Sequence, residues 1–203
     1  MNICVYGASS RAIDQKYIDA AEAVGREIAL RGHTLVFGGG NSGVMGATAR
    51  GADSVAGAHI LGIAPTFFNV DGVLYPHCTE FISPEDMRTR KKLLEDRSDA
   101  FIIAPGGIGT YDEFFEILTL KQLGRHNKPI AILNVDGYYD PLLALLRHTV
   151  AGEFMNETSM MLFEVFEEAD AMFAYLENYN EPLHEVSFFK KIGQSISENE
   201  NDD

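Results

Sequence analysis

A glycine-rich turn followed by a carboxylate is the part of this sequence best suited to chemistry. Residues 105–113 are Pro-Gly-Gly-Ile-Gly-Thr-Tyr-Asp-Glu. They follow an apolar run, Ala100–Ala104, and precede an apolar-rich run of helical length, Phe114–Leu123, which Gly124 ends. This pattern predicts a buried strand, a tight turn and the start of a helix. Unpaired backbone N–H groups at the positive end of a helix dipole can hold a phosphate.

Glu113 allows two interpretations. Its carboxylate, in the first turn of the predicted helix, would repel a bound phosphate, and a catalytic role would account for that position. Alternatively, Thr110 and Glu113 form a capping box, with Thr110 as the N-cap and Glu113 reaching back to its amide. The segment alone leaves both interpretations open.

The basic cluster at residues 88–92, Arg-Thr-Arg-Lys-Lys, also allows two interpretations. It could be a solvated helix face. However, Met87, Arg90 or Lys91, and Leu94 have the spacing of a single helix face. If Met87 and Leu94 point inward, Arg90 turns toward the apolar side, whereas Arg88 and Lys92 stay solvated. A buried arginine needs a partner, which would be Glu113 or a ligand.

The elements that must position these groups alternate between strands and helices. This order predicts a Rossmann-like α/β fold, a doubly wound parallel sheet flanked by helices, in a single domain over residues 1–185. The predicted strands are Asn2–Tyr6, His33–Phe37, His59–Ala64, Ala100–Ala104, Pro129–Leu133 and Leu162–Glu167. The predicted helices are Lys16–Arg31, Gly43–Val55, Ser83–Ser98 with Ser83 as N-cap, Phe114–Leu123, Asp140–Gly152 and Glu168–Asn178. Residues 186–203 form a polar, acidic tail whose end we expect to be disordered.

The topology indicates where a ligand would bind. In the common strand order 3-2-1-4-5, the first and fourth strands are neighbours at the switch point. The loops Gly7–Ser10 and Pro105–Thr110 would then flank one crevice.

A second glycine segment, Gly38–Gly46, contains G-x-G-x-x-G and raises the possibility of a dinucleotide site. That fingerprint also needs an acidic residue at the end of the next strand, and His59–Ala64 has none. It also follows the second strand and not the first. Two glycine turns around one crevice fit a mononucleotide better.

Composition limits the class of protein. The chain has 203 residues, 46% of them hydrophobic, and a formal net charge of −14. These values are typical of a soluble domain, and the acidic charge disfavours a nucleic-acid polymer or an anionic membrane as partner. No apolar run approaches the about 18 residues of a membrane span, and the N-terminus lacks the basic flank of a signal peptide. Cys4 and Cys78 give neither a disulfide framework nor metal spacing, so we expect a cytoplasmic protein.

The apolar residues of the predicted helix Phe114–Leu123 surround it on nearly every side. Burial in the core on both sides and a dimer interface are both compatible with this pattern. We expect a homodimer.

These segments together resemble the LOG ("Lonely guy") family, often labelled possible lysine decarboxylases, over roughly Asn2–Phe166. The matching motifs are P-G-G-x-G-T-x-x-E at 105–113, G-G-G-x-x-G-x-M-G at 38–46, Met87-x-x-Arg90-Lys91, and Asn134–Leu142. The resemblance implies a nucleotide N-glycosidase that hydrolyses AMP-type nucleoside monophosphates, including cytokinin ribotides, to free base and ribose 5-phosphate.

The resemblance also implies which residues act. Arg90 and Glu113 would be the catalytic pair. The implied substrate-binding residues are Ser9, Gly40, Met45, Met87, Lys91, Gly106, Gly107, Ile108, Gly109, Thr110 and Thr119. Two positions depart from the family pattern: Arg88 stands where a histidine is usual, and Ala8 replaces a common glycine.

The implied chemistry agrees with the residues. Cleavage of a ribosyl C–N bond develops oxocarbenium character, which a carboxylate can stabilise, or the carboxylate can activate water. This requires neither a metal nor an organic cofactor, and no recognisable pyridoxal-phosphate lysine supports the decarboxylase label. Two alternatives stay open: a nucleosidase of broader specificity, and a non-catalytic nucleotide or cofactor carrier, as in molybdenum-cofactor carrier proteins. A carrier would not need the carboxylate of Glu113.

Overall fold

Seven parallel strands form the centre of the fold in a computed structural model that describes residues 1–183. The strands are β1 Asn2–Tyr6, β2 Thr34–Phe37, β3 His59–Ile63, β4 Glu80–Ile82, β5 Ala100–Ile103, β6 Ile130–Leu133 and β7 Glu164–Phe166. Their spatial order is β4-β3-β2-β1-β5-β6-β7. The doubly wound parallel sheet is therefore confirmed, including the predicted adjacency of the first strand and the Ala100 strand.

Helices cover both faces of the sheet. They are α1 Gln15–Leu30, α2 Gly43–Asp53, α3 Met87–Asp96, α4 Ile108–Gln122, α5 Asp140–Ala151 and α6 Ala169–Asn178. Alternate residues of the central strands point to opposite faces, so that Ile3 and Val5 pack under α1, α2 and α6 while Cys4 and Tyr6 pack under α3, α4 and α5. This double burial explains the continuous apolar runs in the central strands.

Two local predictions were wrong or incomplete. Ser83 is not the N-cap of α3; Asp86 is, because its carboxylate accepts hydrogen bonds from the backbone N–H groups of Arg88 and Thr89, at 2.8 and 3.0 Å. Strand β4 was missed because it has only three residues and lies at the edge of the sheet. The predicted domain boundary at residue 185 and the tail lie outside the described residues.

Within residues 1–183, none of the helices has the length and apolar character needed to cross a bilayer. The pairing of α1 with α2 depends instead on backbone contact between two amphipathic helices. A Cβ atom added to Gly51 of α2 would lie 1.9 Å from the carbonyl oxygen of Glu22 in α1. Only glycine allows the two helices to approach this closely.

We expect Gly51→Ala to lower the free energy of unfolding by about 1–3 kcal/mol, because the added methyl must push α1 away from α2. The higher helix propensity of alanine, worth about 1 kcal/mol, would only partly offset this loss. Urea denaturation measures the change. Gly109→Ala is the matched control, because its added Cβ would meet no atom within 4 Å. Equal stability of the two variants would show that the contact is not tight.

Candidate active site

A cavity of about 510 Å³ lies at the carboxyl ends of the central strands. It is bordered by the loop after β1, the loop after β2 and the first turn of α4, which follows β5. The crevice between the two predicted loops therefore exists at the predicted edge of the sheet. Its volume lies within the usual range for small-molecule sites, about 300–1,000 Å³.

A buried ion pair lies at the inner side of this cavity. Nη1 of Arg90 is 2.6 Å from Oε1 of Glu113, and only 7% and 8% of the two residues are exposed. Nε of Arg90 also donates to the carbonyl oxygen of Ile63, at 3.2 Å, where β3 ends. A Cβ atom on Gly38 would lie 2.2 Å from Nη2 of Arg90, so the glycine turn after β2 leaves room for the guanidinium.

Burial dominates the electrostatics of Glu113. Loss of hydration raises the pKa of its carboxyl group above the ordinary value of 4.5, and the adjacent Arg90 lowers the pKa by a smaller amount. The carboxyl group is thereby moved toward the pH range in which an acid or base exchanges protons with a substrate.

The capping-box interpretation of Glu113 was wrong. Helix α4 begins at Ile108 with Gly107 as its N-cap, so Thr110 is already helical and Glu113 lies in the second turn. From there Glu113 points across to α3, where it accepts a hydrogen bond from Arg90. The helix therefore also begins several residues before the predicted Phe114.

The first turn of α4 faces the cavity with free backbone donors. The N–H of Tyr111 makes the first helical bond, to the carbonyl oxygen of Gly107 at 3.0 Å. The amides of Ile108, Gly109 and Thr110 precede it and therefore have no acceptor within the helix. Because these residues line the cavity, the positive end of the helix dipole is directed at it.

Most of the predicted site residues come together at this cavity. Those lining it are Ser9, Gly40, Met45, Met87, Arg90, Gly107, Ile108, Gly109, Thr110 and Glu113. Met87 is 39% exposed at the cavity rather than turned into the core, whereas Leu94 is fully buried. Arg88 and Lys92 are exposed, as expected.

Three predicted residues lie elsewhere. Nζ of Lys91 is 3.0 Å from carboxylate oxygens of both Asp112 and Glu116, on the outer side of α4. Thr119 is exposed further along α4, and neither residue lines the cavity. Gly106 is buried behind the turn, where its carbonyl oxygen accepts a hydrogen bond.

The donors that hold the turn were missed by the sequence analysis. The hydroxyl of Tyr139 donates to the carbonyl oxygen of Ala104 at 2.7 Å, and that of Tyr138 donates to the carbonyl oxygen of Gly106 at 2.6 Å. Asn134 fixes this tyrosine pair by accepting from the N–H of Tyr139, at 2.7 Å. The segment Asn134–Leu142 was noticed only as a family motif, so its role as a support for the turn is new.

An apolar wall was also missed. Phe68, Val73 and Leu74, from the loop between β3 and β4, also line the cavity. Phe68 and Val73 remain 42% and 39% exposed. The sequence did contain a signal for this wall, namely apolar residues in a loop that follows the carboxyl end of a strand.

The sequence matches a known protein family and individual plant proteins. A family model described as possible lysine decarboxylase matches residues 45–176. The cytokinin riboside 5'-monophosphate phosphoribohydrolase LOG4 of Arabidopsis thaliana is 37% identical over 183 residues, covering 90% of this chain and 84% of that protein. A probable enzyme of the same name, LOGL9 of Oryza sativa subsp. japonica, is 38% identical over 87% of this chain and 78% of its own length.

Solved structures share the fold. The molybdenum cofactor binding protein of Rippkaea orientalis superimposes with a TM-score of 0.65, covering 87% of this chain and 93% of that one. The Moco carrier protein of Chlamydomonas reinhardtii also gives 0.65, over 87% and 94%. Their sequence identities to this chain are 22% and 21%, so the likeness concerns the architecture alone.

We expect Tyr139→Phe to lower the free energy of unfolding by about 1–3 kcal/mol, because it leaves the carbonyl oxygen of Ala104 buried without its donor. Tyr179→Phe is the matched control: within residues 1–183 its hydroxyl makes one hydrogen bond, a long one of 3.4 Å to Oδ1 of Asn127. Denaturant titration of both variants tests this. A Tyr139→Phe protein no less stable than the control would contradict the supporting role.

Proposed function

The chain belongs to the LOG family of possible lysine decarboxylases, and from that premise we propose that it hydrolyses the N-glycosidic bond of a nucleoside 5'-monophosphate. The products would be the free base and ribose 5-phosphate. The curated relatives are named for this reaction on cytokinin riboside 5'-monophosphates. We propose that AMP-type nucleotides in general, cytokinin ribotides included, are its substrates.

One observation carries the proposal: a buried carboxylate and guanidinium, 2.6 Å apart, share a cavity with an open helix N-terminus. In the proposed reaction, water adds to the anomeric carbon, the C–N bond breaks, and the base leaves with a proton. Glu113 stabilises the developing positive charge on the sugar or takes the proton from the attacking water. Arg90 keeps the carboxylate in one orientation.

The phosphate would bind at the start of α4. An anion at a helix N-terminus gains roughly 0.3–1 kcal/mol when exposed and about 2 kcal/mol when partly buried. The amides of Ile108, Gly109 and Thr110 supply the donors. Lys91, the lysine that the family resemblance implies near the phosphate, is held by Asp112 and Glu116, so we assign phosphate recognition to backbone groups.

The base would lie against the apolar wall. Phe68 of this wall lines the cavity together with Met45 and Met87, and purine rings bind well to thioether and aromatic surfaces. A nucleotide placed with its phosphate on α4 and its base on this wall brings the sugar past Glu113.

The carrier alternative rests on the fold alone. The molybdenum-cofactor proteins share the architecture at low sequence identity. A carrier of an anionic ligand gains nothing from a buried carboxylate beside the ligand, because desolvating it is costly and its charge repels the anion. The ion pair therefore favours catalysis.

We expect Glu113→Gln to reduce base release from AMP and isopentenyl-AMP by about 10²–10⁴-fold, the usual contribution of a catalytic acid or base. Nucleotide binding should largely survive, because phosphate and base contacts are unchanged. Chromatography of released adenine measures turnover, and calorimetry measures binding. Glu116→Gln, on the outer side of the same helix, is the matched control and should keep its activity.

The outcomes separate the alternatives. Wild-type protein that binds nucleotides and releases base from none of them is a carrier. If both nucleotides bind and the Glu113→Gln protein still turns over normally, the carboxylate is structural and the catalytic assignment fails.

We further propose that the protein is a homodimer with α4 at the interface. Phe114, Ile117 and Leu118 are buried in the core, which accounts for one side of the helix, but Phe115 stays 38% exposed. Light scattering should therefore give twice the chain mass of 22.4 kDa. Phe115→Ser should shift the protein toward monomer, and Leu30→Ser, on the opposite side of the sheet, should not. A monomeric wild-type protein would refute this.

A further inference from the structure

Lys121 is a buried cation without a hydrogen-bond acceptor. It lies in the last turn of α4 and is only 5% exposed. Within residues 1–183, its Nζ is the one buried side-chain nitrogen or oxygen that has no hydrogen-bond partner. Its Nζ lies 4.7 Å from the centroid of the Tyr179 ring. Buried ammonium groups are strongly disfavoured unless they are paired, so this arrangement calls for an explanation.

Lys121 lines a second cavity, of about 160 Å³. The rings of Tyr175 and Tyr179 form part of its wall, and the exposed residues Glu164 and Glu181 lie at its rim. Asn127 donates from Nδ2 to the backbone carbonyl oxygen of Glu181, at 2.5 Å, which fixes that residue beside the cavity. A space of this size holds a ligand of several heavy atoms as well as water.

This cavity is separate from the catalytic one. The two lie at opposite ends of α4, and Lys121 is eleven residues beyond Thr110, or roughly 16 Å along the helix axis. Of the residues that the structure describes, none lines both cavities. A ligand bound in this second cavity would therefore be independent of the proposed nucleotide hydrolysis.

Charge and size define the ligand. A carboxylate is one of the strong, charged acceptors that can satisfy a buried ammonium. A second negative charge on the ligand would meet Glu164 and Glu181, whereas a positive charge would be attracted by them. The tyrosine rings suit the few methylene groups that would join the two ends.

We propose that this cavity binds a small zwitterionic carboxylate of the amino-acid class. Its carboxylate accepts hydrogen bonds from Nζ of Lys121, and its ammonium lies at the rim beside Glu164 and Glu181. Burial supports this in one further respect: it lowers the pKa of Lys121 to about 8, which a bound carboxylate would raise again.

Calorimetric titration of the full chain with four probes tests the proposal. The probes are 4-aminobutyrate, butyrate, butylamine and inorganic phosphate. We expect 4-aminobutyrate to bind at least tenfold more tightly than butyrate, and the other two not to bind at this cavity. Lys121→Met should abolish binding of 4-aminobutyrate. Lys92→Met is the matched control, because that lysine is exposed on α3 and pairs with Asp96.

The rim variants distinguish this from simple carboxylate binding and do not depend on changing the buried lysine. Glu164→Gln and Glu181→Gln should weaken 4-aminobutyrate toward the affinity of butyrate and leave butyrate unaffected. Absence of 4-aminobutyrate binding would overturn the proposal, and so would phosphate binding that is lost in the Lys121→Met protein.

Stability gives a second, ligand-free signature. Lys121→Met keeps an unbranched side chain that is one heavy atom shorter and removes the unpaired charge, so it should raise the melting temperature by a few degrees at neutral pH. The unfolded chain binds more protons at this lysine than the folded chain between pH 8 and 10.5. The free energy of unfolding of the wild-type protein therefore rises with pH in that window. The difference in stability between the Lys121→Met protein and the wild type should become smaller. A melting temperature lowered by the substitution would instead make the contact with Tyr179 the reason for the lysine, and would overturn the proposal.

Discussion

The ion pair between Arg90 and Glu113 constrains much of the structure around it. Both side chains are almost completely removed from water, and their charged atoms are 2.6 Å apart. Removing one partner from such a pair leaves a buried charge, which typically costs about 3–5 kcal/mol. The pair therefore fixes the distance between α3 and α4. Gly38 accommodates the guanidinium, and Lys91 ties the outer sides of the same two helices together through Asp112 and Glu116.

The sheet could be predicted because its central strands are buried on both faces. Short continuous apolar runs such as Ala100–Ala104, followed by glycine turns, are typical of such strands, and their order along the chain implies the doubly wound topology. Edge strand β4 could not be found in this way, because three residues carry no periodic pattern. The start of α3 was misjudged for a related reason. Serine and aspartate are both favoured as N-caps, so the sequence does not distinguish Ser83 from Asp86. The helix begins after Asp86 because of the path that the chain takes after β4.

The part of the candidate site that depends on helical spacing could be predicted from the sequence. Met87, Arg90 and Leu94 share a face, which was enough to direct Arg90 inward. Lys91 is the next residue along α3, so its side chain points in a different direction around the helix. It pairs with the carboxylates of α4 outside the cavity. Residues acting over long separations gave no local signal. Tyr139 donates to a carbonyl group 35 residues earlier in the chain, and nothing near Tyr139 in the sequence indicates that contact.

Helix α4 carries two buried charged side chains, one with an ion-pair partner and one without a hydrogen-bond acceptor among the residues that the structure describes. Glu113, near its N-terminus, is paired with Arg90 and lines a cavity, and both features have a role in the proposed reaction. Lys121, in its last turn, benefits from the negative end of the helix dipole, but an exposed interaction of that kind is worth only about 0.3–1 kcal/mol. That is small beside the cost of burying an ammonium group without an acceptor. Folded proteins keep such local conflicts mainly where function requires them. The unpaired lysine therefore points to a ligand for the same reason that the paired glutamate points to catalysis.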